Sequence, residues 1–335
     1  MQTIAVSHRI RLVPNRTQED YLRRACGTAR FAYNWGLAKW KELYASGGKP
    51  SAYELKRQFR QQIDTNFPWV REVTKCAPEQ SFNDLAVAFR NFFRKNAKYP
   101  NFKKKGKCHD AFYLSNDQFQ VTNKRIRIPK LGWVKMREPL RFNGKILAAR
   151  VSRTADHWYV AIQVEMPKPA ETIKTHDAIG VDLGINTLIY CSNGADEKGP
   201  RPLRNALQAL RKLQRRLSRK QKGSNNRRKA AMKVARLHLR VTNIRKDFLH
   251  KQTHALATQY QMVAIEDLHV KGMLKCHNRA RSVSDASFGE FRRQLEYKSH
   301  WYGSTVVVVD RWYPSSKTCS ACGTKNAELA AGDEI

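Results

Sequence analysis

The stretch Gly180-Val181-Asp182-Leu183-Gly184-Ile185 decides how this chain is read. The apolar run Ile179-Gly180-Val181 has strand character and ends on an acid, Asp182. A carboxylate at the end of a buried-looking strand is costly unless it is paired or binds a metal. The same arrangement returns where Met262-Val263-Ala264-Ile265 ends on Glu266-Asp267-Leu268. Side chains alternate along a strand, so Asp267 is expected to point away from Glu266. Taken singly, either acid could simply cap a turn. Taken together they point to carboxylates on adjacent strand ends, as two-metal phosphodiester chemistry requires, with ions ~3.5–4 Å apart. Gly184, which has no side chain, would let a phosphate backbone come close.

Working outward, Pro167-Lys168-Pro169 marks a linker ahead of two strands, Ala178 to Leu183 and Thr187 to Cys191, separated by Gly184-Ile185-Asn186. Leu203 to Tyr260 reads as two long helices broken at Gly223-Ser224-Asn225-Asn226. They are densely basic (Arg211-Lys212, Arg215-Arg216, Arg219-Lys220, Arg227-Arg228-Lys229), and Asp247 is nearly the only acid among them. Ser287-x-x-Glu290 reads as a capping box for a helix to about Tyr302, and Thr305 to Val309 as a buried parallel strand. Cys319-x-x-Cys322-Gly323 is half of a four-coordinate zinc site. Cys276-His277 could in principle complete it, although the spacing does not support this; two reduced cysteines in a turn are the other reading.

Upstream, Ile4, Val6, His8, Ile10 and Leu12 alternate as a strand. A helix opens at Thr17-Gln18-Glu19 with Leu22, Ala25, Ala29, Ala32, Gly36, Trp40 and Leu43 on one face. Ser51-x-x-Glu54 is a capping box for a second helix to about Ile63, and a third runs from about Pro78 to Asn96. Short alternating strands return between Phe119 and Met166, which suggests a small antiparallel barrel. The strand Ile4 to Leu12 is expected to join that barrel, making the helical lobe an insertion.

The chain has 335 residues, 41% of them hydrophobic, and a formal net charge of +35, so it has real cores and needs a polyanion to relieve its self-repulsion. With 10% aromatic residues among the basic ones, nucleic acid is the natural partner. An anionic membrane is the competing partner, but no apolar run approaches the ~20 residues of a membrane span. Seven scattered cysteines with one close pair do not form a secreted disulfide framework and fit a reducing cytoplasm.

Six segments in order carry a resemblance to the TnpB family, the RNA-guided nucleases of bacterial insertion sequences related to type V CRISPR effectors. They are Arg30-Phe31-Ala32-Tyr33-Asn34-Trp35, Phe102-Lys103-Lys104-Lys105, Ile128-Pro129-Lys130-Leu131-Gly132-Trp133-Val134, the Asp182 segment, Ile265 to Met273, and Tyr313 to Gly323. The resemblance implies an α+β multidomain chain. A small antiparallel wedge-type β-barrel (residues 1–13 and 98–168) is interrupted by a helical recognition lobe (14–97). A RuvC-like α/β domain of RNase H fold follows (175–335), with a basic helical insertion (203–260) and a partial zinc knuckle (319–335).

The resemblance also implies a guide RNA from the transposon end, double-stranded target DNA beside a short flanking motif, and a location in the bacterial cytoplasm, at the nucleoid when bound to DNA. The ribonucleoprotein would hold a monomer or weak dimer. Asp182 and Glu266 carry over as catalytic ligands of Mg2+, and Cys319 and Cys322 as ligands of structural Zn2+. Lys103, Lys104, Lys105, Arg211, Arg215, Arg216, Arg219, Lys220, Arg227, Arg228 and Lys229 are expected at phosphates. Tyr33 and Trp35, with Trp40 and Tyr53, are candidates for base stacking or for the core. Family members continue through a second C-x-x-C and a third catalytic Asp. This sequence reaches Ile335 before both, with Asp333 and Glu334 read as solvated tail, so this form is expected to cleave poorly. Two alternatives stay open, a nuclease-dead RNA-guided repressor and a DNA-strand transposase.

Overall fold

The computed structural model describes residues 2–169 and 173–313, with Thr318 and Thr324. The chain divides into two compact units between Lys168 and Pro169.

The first unit contains, in order, β1 (Thr3–Val13), α1 (Arg16–Ala45), α2 (Ala52–Asn66), α3 (Cys76–Phe93), β2 (Ala111–Ser115), β3 (Gln120–Thr122), β4 (Arg125–Ile128), β5 (Gly132–Met136), β6 (Lys145–Thr154) and β7 (His157–Pro167). The strands form one antiparallel sheet in the order β2-β6-β7-β1-β5-β4-β3. β1 lies along β7 from Thr3↔Pro167 to Leu12↔Trp158 and reaches β5 at Leu12↔Met136. The strand that precedes the helices in sequence is therefore central in the sheet. Its apolar set Ile4, Val6, Ile10 and Leu12 is buried, as the alternation predicts. Among the described residues the sheet order is linear, with β2 and β3 as its two ends; a closed barrel ring is not seen.

α1 opens on a capping box at Asn15 and Gln18, in which each side chain bonds the other's backbone N–H (2.8 and 3.1 Å). The helix begins one residue before the Thr17 expected from the sequence, because Asn15 provides the cap. At Ser51 the hydroxyl accepts from Glu54 N (3.2 Å), yet the Glu54 carboxylate turns to Arg57 and Gln58 instead of back to the cap. The three helices bury Leu37, Trp40, Leu55, Phe59, Phe82, Leu85 and Phe89 together. Gly36 permits this packing, since a Cβ there would stand 3.1 Å from the Phe82 ring and 3.2 Å from Leu85.

The second unit contains β8 (His176–Asp182), β9 (Tyr190–Cys191), α4 (Pro202–Ser218), α5 (Asn225–Gln259), β10 (Tyr260–Glu266), α6 (Val270–Met273), α7 (Ala280–Ala286), α8 (Phe288–Tyr302) and β11 (Thr305–Val309). The sheet order is β11-β10-β8-β9. β8, β10 and β11 are parallel, and β9 is antiparallel to β8. Ile179, Val181, Val263 and Ile265 share a core with Leu249 and Leu256 of α5 and with Phe291 and Leu295 of α8.

Three local expectations change. The strand expected from Thr187 shortens to Tyr190–Cys191, with a single bridge from Ile189 to Glu197. β11 is parallel, but as an edge strand it leaves Val307 and Val308 more than one-third exposed. Ser287 does not cap α8 with its side chain. It sits in the left-handed region (φ 59°), where one residue both ends α7 and begins α8, and its hydroxyl bonds Ser284 O (3.2 Å). Glu290 pairs with Arg293 instead of closing a box. No helix among the described residues is long and apolar enough to cross a membrane.

Lys298 joins α8 to α5, its ammonium donating to His250 O (2.6 Å) and Thr253 Oγ1 (2.8 Å). Burial without a carboxylate partner among the described residues pushes its pKa down to about 8. The unfolded lysine titrates near 10.4, so between about pH 8 and pH 10 the unfolded chain holds a proton that the folded chain has released. Stability should therefore rise with pH across this window, relative to Lys298→Met. Urea unfolding of both proteins at several pH values checks this, and a pH-independent difference between them would refute it.

Candidate functional site

The two acids come together through strand register. β8 and β10 pair as Val263↔Ile179, Ala264↔Gly180 and Ile265↔Val181, so Asp182 and Glu266 are the next residues on neighbouring parallel strands, with backbones ~4.8 Å apart. Val181 and Ile265 are buried in the core beneath α5 and α8, which sends Asp182 and Glu266 to the opposite face. Asp182 is exposed, and its carboxylate has no hydrogen-bond or ion-pair partner among the described residues. Asp267 is engaged elsewhere, by Arg292 (2.8 Å) and Arg311 (Nε at 3.2 Å). Hydrogen bonds from Arg311 and then Arg292 hold its carboxyl below the usual range.

Two carboxylates side by side suit a hard divalent cation such as Mg2+, which commonly takes one or two carboxylates and keeps several waters. No group of three or more His, Cys, Asp or Glu side chains suited to a metal occurs among the described residues, so Cys276 and His277 belong to no such group there. Cys319, Cys322, Asp333 and Glu334 lie outside the described residues.

The turn after Asp182 is tightly built. A Cβ on Gly184 would meet Thr187 O at 2.6 Å and the Tyr190 ring at 2.7 Å. Glycine is therefore required by the turn's own packing, a reason the sequence did not reveal. Arg201, in the left-handed region (φ 43°), donates to Ile185 O (3.2 Å) and Asn186 O (2.5 Å). Asp285 then accepts from Leu203 N, Arg204 N and Arg245 Nη2, each at 3.0 Å. It caps α4 from a distance of some eighty positions in the chain, which no local motif could announce. A cavity of about 250 Å³ lies between these groups, with Phe248 and Leu188 in its wall.

The basic residues divide into two kinds. Arg211, Arg215, Arg216 and Arg219, with Lys220, Arg228 and Lys229, are exposed and form no ion pair among the described residues. Arg227 is different, donating to Leu217 O and Lys220 O (both 2.9 Å) and closing the turn between α4 and α5.

Lys104 and Lys105 are exposed, while Lys103 lies with its ammonium 3.8 Å from the Tyr33 ring centroid, its pKa lowered by burial. Asn34 fixes this segment, accepting from Lys103 N (2.8 Å) and donating to Lys103 O (2.9 Å). Tyr33 is 6% exposed, so stacking on a base is corrected to a core role. Trp35 packs edge-on against Phe59 (5.1 Å) and Phe82, and Trp40 stacks on Phe89 (4.3 Å). An apolar helix face and an aromatic contact face look alike in sequence. Tyr53, by contrast, is exposed.

A family model described as a probable transposase, OrfB_IS605, matches residues 161–277. A helix-turn-helix domain model of the same family matches 1–49, where this structure has one strand followed by one long helix. A Cas12f1-like TNB domain model matches 288–333. A Streptomyces pristinaespiralis protein named for RNA-guided DNA endonuclease activity is 36% identical, over 98% of this chain and 83% of the relative. Escherichia coli K12 InsQ, named likewise, is 35% identical over 94% of this chain and 82% of its own length. The chain of a cryo-EM Cas12f1–sgRNA–target DNA complex has a similar fold, with a TM-score of 0.57 at 14% identity, over 97% of this chain and 92% of that one. A parallel sheet carrying two acids on adjacent strand ends, beside a basic helical hairpin, defines the class. The chain belongs to the OrfB family of insertion-sequence proteins, the TnpB family.

Because Arg227 closes the α4–α5 turn, Arg227→Ala should speed amide exchange across residues 217–228, while Arg216→Ala should leave it unchanged. Hydrogen-exchange mass spectrometry reads this directly. Equal protection in the two variants would mean that Arg227 does not hold the turn.

Proposed function

We propose that this chain is the RNA-guided DNA endonuclease of a transposable element. It takes a guide RNA derived from the element's end, uses a short flanking DNA motif, and cleaves DNA by metal-dependent phosphodiester hydrolysis. The observation that carries this reading is the register that sets Asp182 and Glu266 side by side. The relatives named for this activity match nearly the whole chain, which supports it further.

The second unit acts as a RuvC-like nuclease domain of RNase H fold; three parallel strands with one antiparallel neighbour support that assignment. The first unit supplies the wedge sheet and the helical recognition lobe inserted after β1. Asp182 and Glu266 would hold Mg2+, which when bound activates water and stabilises the leaving oxygen. Asp182 presents its carboxylate without a competing cation among the described residues, whereas Arg292 and Arg311 keep Asp267 occupied. Arg201 steadies the turn that follows Asp182. The exposed cations of α4 and α5, with Lys104 and Lys105, neutralise phosphates of the RNA and the heteroduplex. Cys319 and Cys322 are assigned to structural zinc.

In the guide-RNA complex, Asp182→Ala and Glu266→Gln should lower DNA cleavage by more than the roughly 10–100-fold that loss of an outer-shell metal partner causes, with guide-RNA affinity unchanged. An equal loss of RNA binding would show that these acids support the fold and not the reaction. Guide-RNA affinity should also fall steeply with salt, each phosphate contact adding about 0.7–0.9 to the log–log slope. Titrations at several salt concentrations measure it, and a shallow slope would remove the basic helices from the interface.

A further inference from the structure

We propose that Tyr190 is a positioning residue for the reaction, stacking on a nucleobase beside the phosphate held at Asp182 and Glu266. This rests on the nuclease reading above. β9 pairs antiparallel with β8 as Val181↔Cys191 and Asp182↔Tyr190. Val181 and Cys191 lie on the core side, so Tyr190 shares the face of Asp182. With Glu266 on the other flank, the sheet presents a row of Tyr190, Asp182 and Glu266 across three neighbouring strands. Directly opposed residues of an antiparallel pair have Cβ atoms about 4.5–5.5 Å apart, so an aromatic ring stands beside the acid.

The ring is placed for contact. It reaches past the end of β8 to Gly184, where an added Cβ would come within 2.7 Å of Cε2. Glycine thus leaves room for the ring beside the turn that follows Asp182. Tyr190 remains 39% exposed. Its hydroxyl has no hydrogen-bond partner among the described residues, unlike the structural tyrosines of this chain. Tyr21 donates to Pro129 O (2.7 Å), and the Tyr260 hydroxyl accepts from Asn193 Nδ2 (3.1 Å). A partly exposed aromatic ring with an untethered hydroxyl, packed beside Gly184 and one strand from a metal-binding carboxylate, has the chemistry of a base-stacking platform. Such stacking tolerates any base, because every base has a π-face. The Tyr190 ring therefore registers the strand along the acid pair without reading its sequence.

The test is cleavage kinetics of the guide-RNA complex on target strands carrying a single abasic site, moved stepwise across the scissile phosphate. Tyr190→Ala should raise KM by roughly 5–100-fold with kcat nearly unchanged, and Tyr190→Phe and Tyr190→Trp should restore it. One abasic position should weaken wild type by the same factor and have no further effect in Tyr190→Ala. Tyr190→Leu keeps an apolar side chain beside Gly184 without a π-face; it should behave like Tyr190→Ala and decides the matter if the alanine variant folds poorly. Wild-type KM in Tyr190→Leu, failure of Tyr190→Phe to restore, or equal abasic effects in wild type and variant would overturn the inference. If Asp182→Ala still cleaves, the nuclease reading itself fails. If Asp182→Ala is inactive and Tyr190→Leu matches wild type, only the stacking role fails.

Discussion

The parallel register between β8 and β10 is the constraint on which the second unit depends. A slip of one residue would turn Glu266 into the core beneath α5 and α8 and bring Ile265 to the open face. Burying a carboxylate in an apolar core is far costlier than exposing an isoleucine, so the hydrophobic packing and the placement of the acids enforce the same alignment. The turn at Gly184, the reach of Arg201 and the neighbour relation with Tyr190 all follow from where β8 ends.

Charge is distributed with similar economy. The sequence has 28 acidic residues against 63 lysines and arginines, and several of those acids serve more than one cation or donor at a structural joint. Asp285 serves α4 and Arg245, Asp267 serves Arg292 and Arg311, and Glu79 serves Lys56 and Arg60. Exposed ion pairs contribute little to stability, so this pattern matters more for what it leaves unpaired. Arg211, Arg215, Arg216, Arg219, Lys220, Arg228 and Lys229 of the α4–α5 hairpin form no ion pair among the described residues and face outward for a polyanion.

Much of the architecture was legible because it follows from periodicity. Alternation in β1 marked both the strand and its buried face, and the three-and-four spacing of Leu22 to Trp40 marked the buried face of α1. The acid pair was legible as two apolar runs, each ending on a carboxylate. Long-range geometry was not legible. Nothing near Pro202 announces that Asp285 will cap α4, and nothing at Ser287 announces a left-handed residue shared by two helices. Tyr33 and Trp35 stayed open between base stacking and the core, because aromatic residues in basic surroundings suit a core as well as a nucleic acid. The role of Tyr190 appears only once the β8–β9 register is known.

The long pairing of β1 with β7 has a consequence for biosynthesis. Ile10 and its partner Val160 lie 150 residues apart. At ~5–20 residues per second, β1 leaves the ribosome about 8–30 s before the strand that will cover it. During that interval Ile4, Val6 and Ile10 lack their partner strand, since β5 meets only Leu12 and Val13, and α1 to α3 can settle into their own aromatic core first. Arg9 and Arg11, which later sit on Tyr159 and His157, then act as charged guards that discourage a waiting apolar strand from pairing with another nascent chain. The helices thus lengthen the time the first strand must wait, since they are made before the strand that covers it.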